Sequence, residues 1–157
     1  MPVGGGGGIA GACLAAAGTP IEVYGVEPVG CDSLARSLAA GRPTPVAPTP
    51  SLADGLRPGC VGDLPFAVAR TAVRGVVRVD DDAIAEAFRL LLLDLKVLVE
   101  PSGAAGLAGA LRLGEIAPWP SRGGRRRTVG VVLTGGNVEA DLVARLAGDP
   151  MTVGVAA

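Results

Sequence analysis

Apolar and polar positions fall along this chain in blocks whose period switches between helix and strand. Ile9 to Ala17 is an apolar, alanine-rich run that predicts a helix. Ile21-Glu22-Val23-Tyr24-Gly25-Val26-Glu27 reads as a strand that ends at Glu27-Pro28. Cys31 to Ala40 predicts a second helix, with Asp32 or Ser33 near its start and Gly41 as its stop. Residues 42–50 hold four prolines and two threonines and form an extended connector. Ser51 to Leu56 follows as a short ordered turn. Asp63 to Val73 predicts a short helix with Pro65 near its start, and Gly75 to Val79 a β-branched strand.

The clearest helical pattern runs from Asp80 to about Val97. Asp80, Asp81 and Asp82 stand at its N-terminus, where carboxylates favour the helix dipole. Ile84, Phe88, Leu91, Leu92 and Leu95 fall on one face. After Val99-Glu100-Pro101, Ser102 to Leu113 predicts a closely packing helix of small residues. Gly114 to Gly124 reads as a loop containing Trp119, and Thr128 to Leu133 as the last strand. Thr134-Gly135-Gly136-Asn137 then turns into a final helix from about Val138 to Ala147. Strands alternating with helices give the α/β class with a largely parallel sheet. Ligands of such sheets gather at the C-terminal ends of strands. Gly4–Gly8, Glu27, Glu100 and Thr134–Asn137 fall at such ends.

Composition narrows the function classes. Hydrophobic residues are 49% and charged residues 18%, which is a folding chain and not a disordered one. Mean hydropathy is high, +0.47. The apolar runs are nevertheless broken by Asp, Arg or Gly well short of a membrane span, and no basic leader precedes them, so a cytoplasmic protein is expected. At 157 residues the chain is one domain or part of a larger one. A net charge of −1 gives no argument for nucleic acid, and Arg125-Arg126-Arg127 reads better as a solvated strand entry than as a basic patch. The absence of histidine removes Ser–His catalysis and His metal sites. Cys13, Cys31 and Cys60 are isolated, against a disulfide framework or a zinc site, and read as small buried apolar residues. Lys96, the only lysine, lies near a helix C-terminus, where a solvated cation is favourable.

Five consecutive glycines, Gly4 to Gly8, stand directly before the first helix. Without Cβ atoms such a loop curls tightly and points successive N–H groups into one concavity. The unpaired amides of the helix behind it add to the same positive potential, which suits a phosphate dianion. The Lys and Ser/Thr of a P-loop are absent, and no acidic residue meets the Rossmann requirement. On these residues alone two readings stand open, a phosphate cradle and a flexible linker.

Five motifs together carry a resemblance that none carries alone: Pro2-Val3-Gly4-Gly5-Gly6-Gly7, Gly25-Val26-Glu27-Pro28, Ala53-Asp54-Gly55, Val99-Glu100-Pro101-Ser102-Gly103 and Leu133-Thr134-Gly135-Gly136-Asn137-Val138. In this order and spacing the chain resembles the C-terminal half of serine/threonine dehydratases and serine racemases, fold type II pyridoxal-phosphate enzymes. The resemblance covers roughly residues 2–147. It implies the parallel-sheet core of that class's large domain, incomplete at the N-terminus: one partial domain over residues 1–157 without a regulatory domain. The implied activity is a β-elimination that converts L-threonine or L-serine to a 2-oxo acid and ammonia.

By the same resemblance, Gly4, Gly5, Gly6, Gly7 and Gly8 form the loop that holds the pyridoxal 5'-phosphate phosphate. Gly8 departs from the larger apolar residue usual there. Thr134 matches the hydroxyl that meets the pyridine nitrogen, and a neutral hydroxyl makes the ring a milder electron sink than a carboxylate would. Glu100-Pro101 matches a motif beside the cofactor without a role legible in sequence. Glu27 matches a ligand of a divalent-cation site, for Mg2+ or another ion, with the carbonyl of Cys31. Ser33 replaces the second acidic ligand, which weakens a hard-cation site. A strand-end carboxylate is the competing reading of Glu27.

The lysine that the family joins to its cofactor has no counterpart here, since Lys96 matches a helix position with no such role. The resemblance therefore assigns this chain no catalytic residue, and the chain is expected to be inactive alone. Met1 stands where the family has a valine, which predicts a natural start further upstream. Three alternatives remain: a serine racemase-like portion, a non-catalytic phosphate-binding module, and a homodimer or a subunit whose active site a lysine-bearing partner chain completes.

Overall fold

A computed structural model describes residues 1–116 and 128–148. The elements in chain order are α1 (Gly7–Ala16), β1 (Val23–Pro28), α2 (Ser33–Ala40), α3 (Asp63–Ala72), β2 (Val73–Val79), α4 (Asp81–Arg89), α5 (Pro101–Leu111), α6 (Leu113–Ile116) and α7 (Ala140–Gly148). A 3-10 turn at Asp54–Leu56 ends the proline-rich connector, where the sequence places its ordered turn.

The sheet is parallel, as the alternation of elements predicts. β1 pairs with β2 from Val23↔Val73 to Pro28↔Val79, with a register irregularity between Val23 and Tyr24. The chain start lies along the other edge of β1, also parallel, through a Pro2↔Val26 bridge. Val3 N donates to Val26 O and Val26 N to Met1 O, both at 2.9 Å. Val3 is buried, so the glycine run leaves the sheet from a fixed point.

Two apolar clusters hold the layers. One joins Val26, Val77 and Val79 of the sheet to Ile84, Phe88 and Leu91. The other joins Val3, Ile9, Leu34 and Phe66 beneath α1 and α3. Small residues let α5 approach β1 closely: a Cβ at Gly109 would collide with the Val26 side chain. Asp80 caps α4 by accepting from Ala83 N at 2.9 Å, and Arg112 pairs with it at 3.1 Å. Both interactions hold its carboxyl below the ordinary carboxylate range, the Ala83 amide most strongly.

The structure corrects three expectations. The helix expected from Asp80 to Val97 ends early: after Arg89 one wide π-type turn spans Leu90–Asp94. The extra residue in that turn swings Leu95 off the apolar face, and it stands 62% exposed. Lys96 then takes a left-handed φ of 59° and stops the helix. Thr128–Leu133, expected as a strand, has no ladder partner among the described residues. It instead crosses α5, where the Val132 carbonyl would lie 2.9 Å from a Cβ at Gly106. β-branched composition favours extended backbone, but a strand also needs a neighbour. Within the loop expected at Gly114–Gly124, residues up to Ile116 belong to α6. Trp119 and Arg125–Arg127 lie outside the described residues. Among the described residues, no helix is long and apolar enough to cross a membrane.

Candidate functional site

α1 begins inside the glycine run, at Gly7, with Gly6 as its N-cap. The first amide of this helix with a backbone carbonyl behind it is that of Ala10, which donates to Gly6 O at 3.0 Å. Helix geometry leaves the N–H groups of Gly7, Gly8 and Ile9 without a helical acceptor. No acidic side chain occupies the first turn. The start of α1 is therefore a positive end with unspent donors.

The five glycines are not equivalent. Gly6 is buried and left-handed, with φ 91°. A Cβ there would stand 2.7 Å from Val61 Cγ2 and 2.9 Å from Pro65 Cβ. At Gly4 a Cβ would stand 3.0 Å from the Gly55 carbonyl oxygen. The fold itself demands these two glycines. Gly5 and Gly7 are exposed, and a Cβ at either would meet nothing within 4 Å. Nothing in the chain covers the side-chain positions of these two exposed residues. Gly5 is held from behind, its carbonyl accepting from Gly62 N at 3.1 Å.

Gly55 links this loop to the rest of the site. Its N–H donates to Ser102 Oγ at 3.1 Å. Ser102 and Gly103 lie in the first turn of α5, which Glu100 precedes as N-cap. The Glu100 carboxylate accepts from Asn137 N at 3.2 Å. Gly135, at φ 72°, lies so close under that carboxylate that no Cβ could fit between them. The Thr134 carbonyl packs as tightly on Gly103. Four of the five sequence motifs thus meet around one end of α5, and Thr134 stands exposed among them.

Glu27, at the end of β1, is fully buried and faces elsewhere. Its two oxygens accept from Leu34 N at 2.8 Å and Ala35 N at 2.9 Å, which caps α2 from outside the helix. Burial pushes its carboxyl up to about 7, against the pull of the two amides. Neighbouring Asp32 is buried too, which alone would raise its carboxyl. Arg36 at 2.9 Å and Arg78 at 3.3 Å outweigh the burial and hold it below its ordinary value. Among the described residues, no group of three His, Cys, Asp or Glu side chains is placed to hold a metal ion. Lys96 is exposed, its ammonium donating to the Leu93 carbonyl.

Sequence reasoning named the glycine run, Glu100 and Thr134 but missed what joins them. Gly55 and Ser102 carry that connection. The signal was present, in Ala53-Asp54-Gly55 and Ser102-Gly103, but their contact spans 47 residues and no local pattern encodes it.

Comparison with known proteins follows the same residues. The model of the family described as pyridoxal-phosphate dependent enzyme matches residues 1–135. The chain is 40% identical over 143 residues to a serine racemase of Oryza sativa subsp. indica, covering 88% of this chain and 41% of that one. It is 33% identical over 148 residues to an L-threonine ammonia-lyase of Thermotoga maritima, covering 93% and 35%. Among solved structures it superposes on maize serine racemase with a TM-score of 0.80 at 40% identity, covering 92% of this chain and 45% of that one. On a T.th. threonine deaminase the TM-score is 0.78 at 39% identity, covering 88% and 45%. The chain spans less than half the length of these relatives.

Proposed function

The chain belongs to the pyridoxal-phosphate dependent enzyme family, and from that premise we propose that it is the cofactor-binding portion of an L-threonine/L-serine ammonia-lyase. The observation that carries this reading is the exposed amide end of α1 behind Gly5 and Gly7, joined through Gly55 and Ser102 to the loop bearing Thr134. The amides of Gly5, Gly7, Gly8 and Ile9 would hold the phosphate, and the Thr134 hydroxyl would meet the pyridine nitrogen. Bound pyridoxal phosphate supplies an electron sink for removal of an α-proton and loss of a β-hydroxyl. This chain's own residues bind and orient the cofactor. Lys96, its one lysine, is engaged on Leu93, which supports a chain without turnover of its own.

At Glu27, Mg2+ or another divalent cation would have to share the carboxylate with the amides of Leu34 and Ala35, each of which already occupies one oxygen. Those bonds support a structural role for Glu27 instead. The 40% identity to rice and maize serine racemases favours a racemase-like portion as the second reading. The proposal includes a cytoplasmic location and a partner, either a second copy or a lysine-bearing chain.

Isothermal titration with pyridoxal phosphate tests the reading. Binding should be competitive with inorganic phosphate and should be lost in Gly7→Val, a change the fold has room for. Binding that ignores inorganic phosphate would overturn it.

A further inference from the structure

Glu100 occupies the N-cap position of α5 with extended backbone, φ −74° and ψ 160°. A short polar side chain there, of Ser, Thr, Asp or Asn, turns back onto the helix's own first amides. Glu100 does not: its side chain makes no cap bond, and its main-chain carbonyl accepts from Gly103 N at 2.9 Å and Ala104 N at 3.0 Å. The side chain is spent on another segment. It accepts from Asn137 N and lies directly over Gly135, whose positive φ and missing Cβ both suit that close approach. From the other side, Gly103 takes the Thr134 carbonyl against its bare Cα.

The loop that carries Thr134 is held at its two ends by the Val132 carbonyl against Gly106 and by Val138 against the core. Residues 132–137 are exposed and belong to no helix or strand. The first turn of α5 grips it at Thr134, Gly135 and Asn137, and the same turn reaches the glycine loop through Ser102, Gly55 and Gly4.

We propose that Glu100 is a positioning residue: its carboxylate latches Gly135 and Asn137 to α5 and so fixes where Thr134 presents its hydroxyl to a ligand anchored at the glycine loop. The proposal rests on the reading of Thr134 as the pyridine contact. A loop released from the latch must be ordered at each binding event, and the lost affinity is confined to the ring of the ligand. The phosphate, held by amides on the other side of Gly55, is untouched.

The test compares the chain with Glu100→Ala, Glu100→Gln, Thr134→Val and the Glu100→Ala/Thr134→Val pair. Two ligands, pyridoxal phosphate and methyl phosphate, separate the ring from the phosphate. Amide hydrogen exchange at Asn137 reads the latch without any ligand. Glu100→Ala should speed that exchange and weaken pyridoxal phosphate by about tenfold, the worth of one good hydrogen bond. Methyl phosphate should bind as before. Glu100→Gln, whose amide oxygen still accepts, should restore both readouts. The double variant should be no weaker than Thr134→Val alone. Unchanged exchange and affinity in Glu100→Ala, with Thr134→Val still weakened, overturns the latch and leaves the Thr134 reading standing. Thr134→Val without effect on pyridoxal phosphate overturns that reading and the proposal with it. Loss of methyl phosphate in Glu100→Ala also overturns it, because the residue would then act on the cradle.

Discussion

Val61 fills the space that a side chain at Gly6 would need, with its Cγ2 only 2.7 Å from where a Cβ would stand. Gly7, the next residue, faces nothing within 4 Å. The fold thus forbids a side chain at one of these neighbouring glycines and leaves room for one at the other.

This contrast gives the first prediction. Gly6→Val should destabilise the chain by about 2–4 kcal/mol, from overpacking against Val61 and Pro65 plus a left-handed φ forced on a β-branched residue. Gly7→Val should change stability by less than about 1 kcal/mol, since glycine is itself a poor helix residue. Urea unfolding of the two variants beside the parent measures both, and equal losses would contradict the distinction.

The aspartates at the start of α4 and the Gly41 stop of α2 were legible in sequence because their causes are local, whereas the glycine run was legible only as a run. Asp80 caps the helix three residues away, and Gly41 takes the left-handed φ of 69° that ends one. The end of α4 was not legible. Four leucines in a row, Leu90 to Leu93, fit any helical face, so the pattern could not register the wide turn that expels Leu95. Thr128–Leu133 misled for another reason: strand composition says nothing about whether a partner strand is present. Glu100 was recognised as a motif residue but not as a latch, because its partner Asn137 is 37 positions away.

Glu27 makes stability depend on pH in a defined direction. Its folded carboxyl is pushed up to about 7, above the ordinary 4.5, so the folded chain holds this proton more tightly than the unfolded chain. Stability from this group is fully present below about 4.5 and is lost as pH rises towards 7. The urea midpoint should fall across that window in the parent and stay flatter in Glu27→Gln. Glu27→Ala, which strands the Leu34 and Ala35 amides, should cost about 1–3 kcal/mol. A Glu27→Gln profile that runs parallel to the parent's would sink this account of the buried carboxyl.

Lys96, exposed and donating to the Leu93 carbonyl, predicts that purified chain, supplied with pyridoxal phosphate, forms no 2-oxo acid from L-threonine or L-serine beyond the rate of the free cofactor. Lys96→Arg should leave that background unchanged. Turnover clearly above it, abolished by Lys96→Arg, would show that this lysine reaches the cofactor after all.

The central claim is that the start of α1 receives the cofactor phosphate, and backbone amide NMR reads it most directly. As pyridoxal phosphate is titrated into the chain, the amide resonances of Gly5, Gly7, Gly8 and Ile9 should move together with one binding curve, and inorganic phosphate should move the same set. If these four stay still while other amides follow the titration, the phosphate binds elsewhere and the account is wrong.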